Sequence, residues 1–97
     1  MGRVQDQVAV VTGAAKGLGQ AIALRLAEDG AKLVLGDIDG QGLASTAGAI
    51  REAGSEAVTV VGDITEEEPA GNLIESAIEH FGQIDILVNN VGGSRNS

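Results

Sequence analysis

The sequence VAVVTGAAKGLG, residues 8–19, joins a short apolar run to a turn that contains three glycines. Gly13 permits a tight turn, Gly17 lets a ligand approach the backbone, and Gly19 lets the following helix pack near the strand. Backbone N–H groups and the helix dipole at a helix N-terminus favour a negatively charged ligand. The stretch therefore predicts a strand, a turn that binds a diphosphate, and a helix. A P-loop is excluded because no Gly-Lys-Ser/Thr sequence follows.

Apolar runs of strand length alternate with helical patterns along the rest of the chain. The runs cover residues 8–11, 32–35, 57–61 and 84–88. Because they are almost continuously apolar, they predict a parallel sheet that is covered on both faces. Three segments between them have a 3.6-residue period. Their predicted apolar stripes are Leu18, Ala21, Ile22 and Leu26; Leu43, Ala47 and Ile50; and Ala70, Leu73, Ile74, Ala77, Ile78 and Phe81.

These elements predict an α/β fold with the order β-α-β-α-β-α-β. With right-handed crossovers, the strand order 3-2-1-4 would form the N-terminal half of a Rossmann-type doubly wound parallel sheet. We expect residues 1–97 to form one partial NAD(P)-binding domain. Helix ends are predicted at Gly30, Gly54 and Gly82. The third helix is predicted to begin either with a Thr65–Glu68 capping box or with Glu68 as the cap before Pro69.

Composition excludes several classes of function. The 97 residues include 14 acidic and 6 basic side chains, which give a net charge of −8, and they contain no cysteine. Disulfides, zinc-finger sites and thiol catalysis are therefore excluded, and the acidic balance argues against nucleic-acid or anionic membrane partners. The N-terminal segment fits neither a signal peptide nor a membrane span, so a cytoplasmic protein is expected.

The end of the second strand bears on the choice between NAD and NADP. A carboxylate at Asp37 can accept hydrogen bonds from the adenosine ribose and would repel a 2′-phosphate, which favours NAD. Lys16 favours NADP, because a cation beside the turn could pair with that phosphate. Asp39 is open to two interpretations, a second ribose contact or the start of a helix. We expect NAD, with NADP the less favoured cofactor.

Three stretches resemble the short-chain dehydrogenase/reductase family. TGAAKGLG (12–19) resembles that family's TGxxxGxG, GDIT (62–65) its Asp-containing segment after the third strand, and FGQIDILVNNVG (81–92) the approach to its NNAG motif. Val91 replaces the usual alanine. The turn, the strand ends and the resemblance together predict these cofactor-binding residues: Gly13, Ala15, Lys16, Gly17, Leu18, Gly19, Asp37, Ile38, Asp63, Ile64, Asn90, Val91 and Gly92.

The resemblance also implies an activity and roles for individual residues. It implies that Asp63 and Ile64 face the adenine ring, and that Asn90 links strands while lining the ribose site. Without the resemblance, Asp63 could be a turn residue and the asparagines could satisfy backbone groups at a strand end. The implied activity is hydride transfer between an alcohol or ketone substrate and the cofactor, by a parent protein that is a homo-oligomer.

That reaction needs a proton donor at the substrate oxygen. In the resembled family the donor belongs to a Tyr-x-x-x-Lys motif and is assisted by a serine, but this chain has no tyrosine. We therefore expect an N-terminal portion that ends before the catalytic segment, has no catalytic residue and is inactive alone. His80 is predicted to complement the dipole of the third helix. The alternative function is a non-catalytic NAD-binding module or sensor.

Overall fold

The computed structural model describes residues 4–90, which form one four-stranded sheet with three helices. The elements are β1 (Val8–Thr12), α1 (Gly17–Glu28), β2 (Lys32–Asp37), α2 (Gly40–Glu52), β3 (Ala57–Val61), α3 (Glu67–Phe81) and β4 (Ile86–Val88). The strand order is β3-β2-β1-β4, and every pair is parallel. The predicted fold class and strand order are confirmed.

The strand β1 lies at the centre of the sheet, and all five of its residues are buried. Ala9 pairs with Leu33 of β2 on one side and with Ile86 of β4 on the other. Because side chains alternate along a strand, β1 supplies both faces of the sheet. Ala9 and Val11 pack in the cluster with α1 and α2, whereas Val8 and Val10 pack with α3.

The helix α1 packs through smaller residues than its sequence pattern predicts. Its buried residues are Gly19, Ala23 and Ala27. Leu18, placed on the predicted stripe, is 67% exposed. Residues with little or no side chain at a spacing of four let the helix backbone lie close to the sheet, which is why this face is buried. The predicted stripe is therefore wrong at Leu18 and Ala21, which are exposed, whereas Leu26 is partly buried and packs against the core cluster.

The stripe predicted for α2 is confirmed, and that for α3 only in part. Leu43, Ala47 and Ile50 are fully or almost fully buried. On α3, Leu73 and Ala77 are buried, whereas Ile74 and Ile78 are 40% and 49% exposed. Leu87 of β4, on the same face of the sheet as Val10, is also exposed. Among the described residues, the α3 face thus has the thinner apolar layer.

The helix ends follow the glycines, but the start of α3 differs from both predictions. Gly30, Gly54 and Gly82 have φ values of 102°, 95° and 81°, so each has the left-handed conformation that terminates a helix. The cap of α3 is Glu66, without a side-chain hydrogen bond. Pro69 lies in the first turn, where its missing N–H has no helical partner to lose.

The strand β4 begins two residues later than the apolar run at 84–88 because Asp85 pairs through its side chain. The Asp85 amide donates to the carbonyl of Val8 at 2.9 Å, and Asp85 Oδ2 accepts from the amide of Val8, also at 2.9 Å. A carboxylate therefore takes the place of a ladder carbonyl at this end of β4. No helix within residues 4–90 has the length and apolar character needed to cross a membrane.

Candidate functional site

The carboxyl ends of the four strands meet at one edge of the sheet. The Gly13 amide donates to the carbonyl of Gly36 at 2.8 Å, and the Gly62 amide donates to that of Asp37 at 2.9 Å. The Asn90 amide donates to Thr12 Oγ1 at 2.7 Å. Parallel α/β sheets bind their ligands outside this edge. The chain therefore brings its glycine turn, Asp37, the 62–65 segment and Asn90 together where a ligand is expected.

The glycine turn folds tightly back on the first residues of α1. Gly13 has a φ of 65°, and a Cβ on it would lie 2.9 Å from the carbonyl oxygen of Asn90. A Cβ on Gly19 would lie only 2.0 Å from the carbonyl oxygen of Gly13. Both glycines are therefore required by close backbone approaches, within the turn at Gly19 and between the turn and β4 at Gly13.

The N-terminus of α1 is open at the edge of the sheet where the strands end. Gly17 begins the helix with a φ of 63°, and beyond its chain neighbours and the nearby helix backbone no described atom lies within 4 Å of the position of a Cβ there. Lys16 is the cap residue, and within residues 4–90 no side chain accepts a hydrogen bond at this helix end. The first N–H groups of a helix have no partner within the helix. These amides and the helix dipole suit an anionic group, as predicted from the glycines.

Asp37 at the end of β2 faces the glycine turn. Its Oδ2 accepts from the amide of Ala15 at 3.1 Å, and its Oδ1 accepts from the amide of Asp39 at 3.0 Å. Each carboxylate oxygen can accept a second hydrogen bond, so ribose hydroxyls would still find acceptors. The amide of Ala15 is engaged by Asp37, and its side chain is buried, which leaves Ala15 a structural part in the turn.

Asp39 caps α2. Its Oδ1 accepts from the amide of Gly42 at 3.0 Å, and its backbone has the extended conformation of a cap residue. Of the two interpretations of Asp39, the structure supports the start of a helix. The carboxylate also adds a second negative charge two residues from Asp37, whose Oδ1 accepts from the Asp39 amide.

Four predicted site residues differ in how their side chains are placed. Leu18 and Ile38 are 67% and 69% exposed, so both present apolar surface to solvent beside the ends of the strands. Ile64, in contrast, packs on the core cluster of the α3 face, and a Cβ on Gly36 would lie 3.1 Å from its Cδ1. Asp63 accepts hydrogen bonds from the amide and the hydroxyl of Thr65. Asp63 therefore stabilises the turn after β3, which is one of the two interpretations of its position after a strand.

The hydrogen bonds from Thr65 hold the pKa of the Asp63 carboxyl below that of an unperturbed aspartate, with the hydroxyl contributing more than the amide. A lowered pKa in the folded state contributes stability above the unfolded value near 4, and that stability is lost as the pH falls through the lower folded value.

We expect Thr65→Ala to raise the pKa of Asp63 in an NMR titration of the carboxyl carbon. Thr59→Ala, an exposed site on β3, is the control; an unchanged pKa in Thr65→Ala would contradict this.

Thr12 connects β1 to the asparagines. Its buried hydroxyl lies 3.0 Å from Asn89 Oδ1, to which it donates, and it accepts from the amide of Asn90. The asparagines therefore satisfy groups at the strand end, and Asn90 also reaches the turn, since a Cβ on Gly19 would lie 2.8 Å from its Nδ2. Val91 and Gly92, the last two predicted site residues, lie outside the described residues.

The sequence interpretation missed residues behind the turn. Thr46 of α2 is fully buried and donates to the carbonyl of Ala14 at 2.9 Å, while Gln20 Nε2 donates to Thr46 Oγ1 at 3.1 Å. The available signal was a threonine on the apolar stripe, between Leu43 and Ala47. Among residues 4–90, no group of acidic, histidine or cysteine side chains is arranged to hold a metal ion.

Comparison with known proteins identifies similar chains. The family model described as short chain dehydrogenase matches residues 7–97. An uncharacterized oxidoreductase of Methylorubrum extorquens is 43% identical over 93 residues, which are 95% of this chain and 38% of that protein. A crystal structure of carveol dehydrogenase from Mycobacterium avium in complex with NAD superimposes with a TM-score of 0.90 at 33% identity, and covers 95% of this chain and 38% of that one.

A second solved structure has a similar fold. It is a short-chain dehydrogenase/reductase from Burkholderia phymatum in complex with NAD, with a TM-score of 0.84 and 39% identity, over 90% of this chain and 31% of that one. The chain thus spans about a third of the length of the proteins that it matches.

Proposed function

Because the chain belongs to the short-chain dehydrogenase family, we propose that it is the cofactor-binding portion of an NAD-dependent oxidoreductase. The observation that carries this proposal is the pairing of two features across one turn. On one side the N-terminus of α1 has no side-chain cap among the described residues, and on the other the Asp37 carboxylate faces the turn. A dinucleotide carries the complementary groups, a diphosphate and a ribose diol, in one molecule.

The residues present fit that cofactor. The open side of Gly17 leaves room for a diphosphate at the amides of the α1 terminus. Asp37 would accept from the adenosine ribose hydroxyls, and the exposed Ile38 would cover one face of the adenine. Bound NAD would supply the hydride chemistry. The full set proposed to form the cofactor site, by contact or by shaping the turn behind it, is Gly13, Ala15, Lys16, Gly17, Leu18, Gly19, Asp37, Ile38, Asp63, Ile64, Asn90, Val91 and Gly92.

Charge at the end of β2 supports NAD over NADP. A 2′-phosphate would lie beside the carboxylates of Asp37 and Asp39, and the amide of Gly42 in the first turn of α2 is already taken by Asp39. Lys16 provides one opposing cation, and its exposed side chain keeps that charge in water, where ion pairing contributes little. Asp39 is exposed as well, so the repulsion that outweighs the attraction by Lys16 is chiefly that of the half-buried Asp37.

The activity proposed for the whole protein is hydride transfer between the cofactor and an alcohol or ketone. Residues 1–97 contain no tyrosine to hold the proton at the substrate oxygen. We therefore propose that these residues bind the cofactor without turning over a substrate. The homo-oligomeric state and the cytoplasmic location stay predictions.

Calorimetric titration of the 97-residue chain with NAD⁺ and with NADP⁺ tests this function. We expect NAD⁺ to bind and NADP⁺ to bind about tenfold more weakly, since repulsion between partly solvated charges at short range is worth on the order of 1–4 kcal/mol. Raising the salt concentration should narrow the difference. Absence of NAD⁺ binding to folded protein would refute the function, and NADP⁺ binding of equal strength would refute the cofactor preference.

A further inference from the structure

We propose that Thr46, supported by Gln20, is a positioning residue that fixes the glycine turn for the diphosphate of the dinucleotide. This inference rests on the proposed function. Thr46 lies in the middle of α2 and is fully buried behind the turn. It would therefore act on the ligand only through the backbone of the turn.

The hydrogen bonds around Thr46 connect two helices to the turn. Its hydroxyl donates to the buried carbonyl of Ala14 at 2.9 Å and lies 3.1 Å from the carbonyl of Gly42, one turn earlier in α2. Gln20 of α1 donates to the same oxygen at 3.1 Å. A hydroxyl has one proton and two acceptor sites. Because Gln20 donates to the oxygen, the proton is directed to a carbonyl, and Ala14 is the nearer one.

Close packing brings α2 against the turn at the same place. A Cβ on Gly42 would lie 2.6 Å from the Cβ of Ala15 and 2.9 Å from its carbonyl oxygen. The first turn of α2 can therefore approach the glycine turn only because residue 42 is a glycine. Thr46, one helical turn further on, then has its hydroxyl within reach of Ala14.

The turn is held on two sides as a result. Asp37 accepts from the amide of Ala15 at 3.1 Å, and Thr46 donates to the carbonyl of Ala14 at 2.9 Å. These two groups belong to one peptide unit, the link between residues 14 and 15. Fixing both ends of that peptide sets the direction of the chain into Lys16 and Gly17. The amides that would meet the diphosphate follow directly, so their positions depend on this peptide.

Substitution of Thr46 by valine keeps the shape and removes the hydroxyl, while serine keeps the hydroxyl. We expect Thr46→Val to weaken NAD⁺ binding about tenfold, the effect of losing one buried hydrogen bond that preorganises a site. Thr46→Ser should restore most of the affinity. Thr59→Val is the matched control, because Thr59 is exposed on β3 and distant in sequence from the turn. It should leave the affinity unchanged.

Amide hydrogen exchange of the ligand-free protein separates this inference from the proposed function. In Thr46→Val we expect faster exchange at the amides of Gly13, Ala14 and Ala15, and an unchanged rate at Val10 in the centre of β1. Gln20→Met, at a partly exposed site, should give a smaller effect in the same direction and serves if Thr46→Val does not fold.

Each outcome tests either the proposed binding of NAD⁺ or the positioning role of Thr46. If the wild-type chain binds no NAD⁺, the proposed function fails, while exchange at Ala14 and Ala15 still tests whether Thr46 fixes the turn. If NAD⁺ binds and Thr46→Val changes neither the affinity nor the exchange of the turn, the positioning role is refuted. A uniform rise in exchange that includes Val10, or a serine variant as weak as valine, would also refute it.

Discussion

Replacement of Gly19 by alanine is expected to abolish NAD⁺ binding and to lower the free energy of unfolding by about 3 kcal/mol, the upper range for a side chain forced into filled space. The new Cβ would lie 2.0 Å from the carbonyl oxygen of Gly13 and 2.8 Å from Asn90 Nδ2. Backbone atoms cannot yield as a flexible side chain can. The turn must therefore open, and the amides at the α1 terminus would move with it.

Urea unfolding and calorimetric titration measure the two effects in the same samples. Gly48→Ala is the matched control, because Gly48 lies inside α2 and, beyond its chain neighbours and the nearby helix backbone, no described atom lies within 4 Å of its added Cβ. Alanine there should raise the stability by about 0.5–1 kcal/mol through helix propensity, with NAD⁺ affinity unchanged. A Gly19→Ala variant with the wild-type urea midpoint and affinity would show that the turn is not as closed as described.

Substitution of Asp37 has the second large expected effect, a fall of at least about tenfold in the preference for NAD⁺ over NADP⁺. Asp37→Asn removes the charge that we propose to face the 2′ position of the adenosine ribose, and it keeps one oxygen that can accept a hydrogen bond. NAD⁺ affinity should fall, because a hydrogen bond to a charged group is worth about 1.5–3 kcal/mol. NADP⁺ affinity should hold or rise, because the repulsion is removed.

Two further variants separate charge from structure at this position. Asp37→Ala also deprives the amides of Ala15 and Asp39 of their acceptor, so it should destabilise the turn more than asparagine does. Asp39→Asn keeps the cap of α2 and removes only its charge, and a smaller shift in preference is expected. Titrations of each variant with both cofactors supply the comparison. An unchanged ratio of affinities in Asp37→Asn would exclude Asp37 as the discriminating residue.

The sequence predicted the topology well because each strand was marked by an almost continuous apolar run. Such runs signal burial on both faces, and the alternation with helices then restricts the possible strand orders. The limits of the strands were less predictable. β2 continues through Gly36 and Asp37 because they pair with Val60 and Val61, a pairing that the apolar run at 32–35 does not reveal.

Helix packing was harder to predict than helix position. For α1, hydrophobicity favoured the leucines, whereas the structure buries Gly19, Ala23 and Ala27 because small residues allow a closer approach to the sheet. The predicted start of α3 was also wrong, because it depended on which partner a side chain selects. The hydrogen bonds of Thr65 go to Asp63, so the capping box with Glu68 does not form.

The candidate site was predicted where glycine and carboxylate spacing carries chemistry, and missed where a contact depends on tertiary structure. Gly13, Gly19 and Asp37 follow from the order of strand, turn and strand end. Thr46 and Gln20 are separated by 26 residues and meet only because α1 and α2 lie side by side on one face. The sequence pattern alone does not reveal the hydrogen-bond partners of a buried threonine.

The pairing of β1 with β4 has a consequence for the order of folding. Val8 reaches its partner Asp85 across 77 residues of chain, so the central strand has both neighbours only when nearly the whole segment has been synthesised. Closing so long a loop favours slow formation of the sheet. During translation, one edge of β1 therefore has no hydrogen-bonded partner strand until β4 emerges from the ribosome.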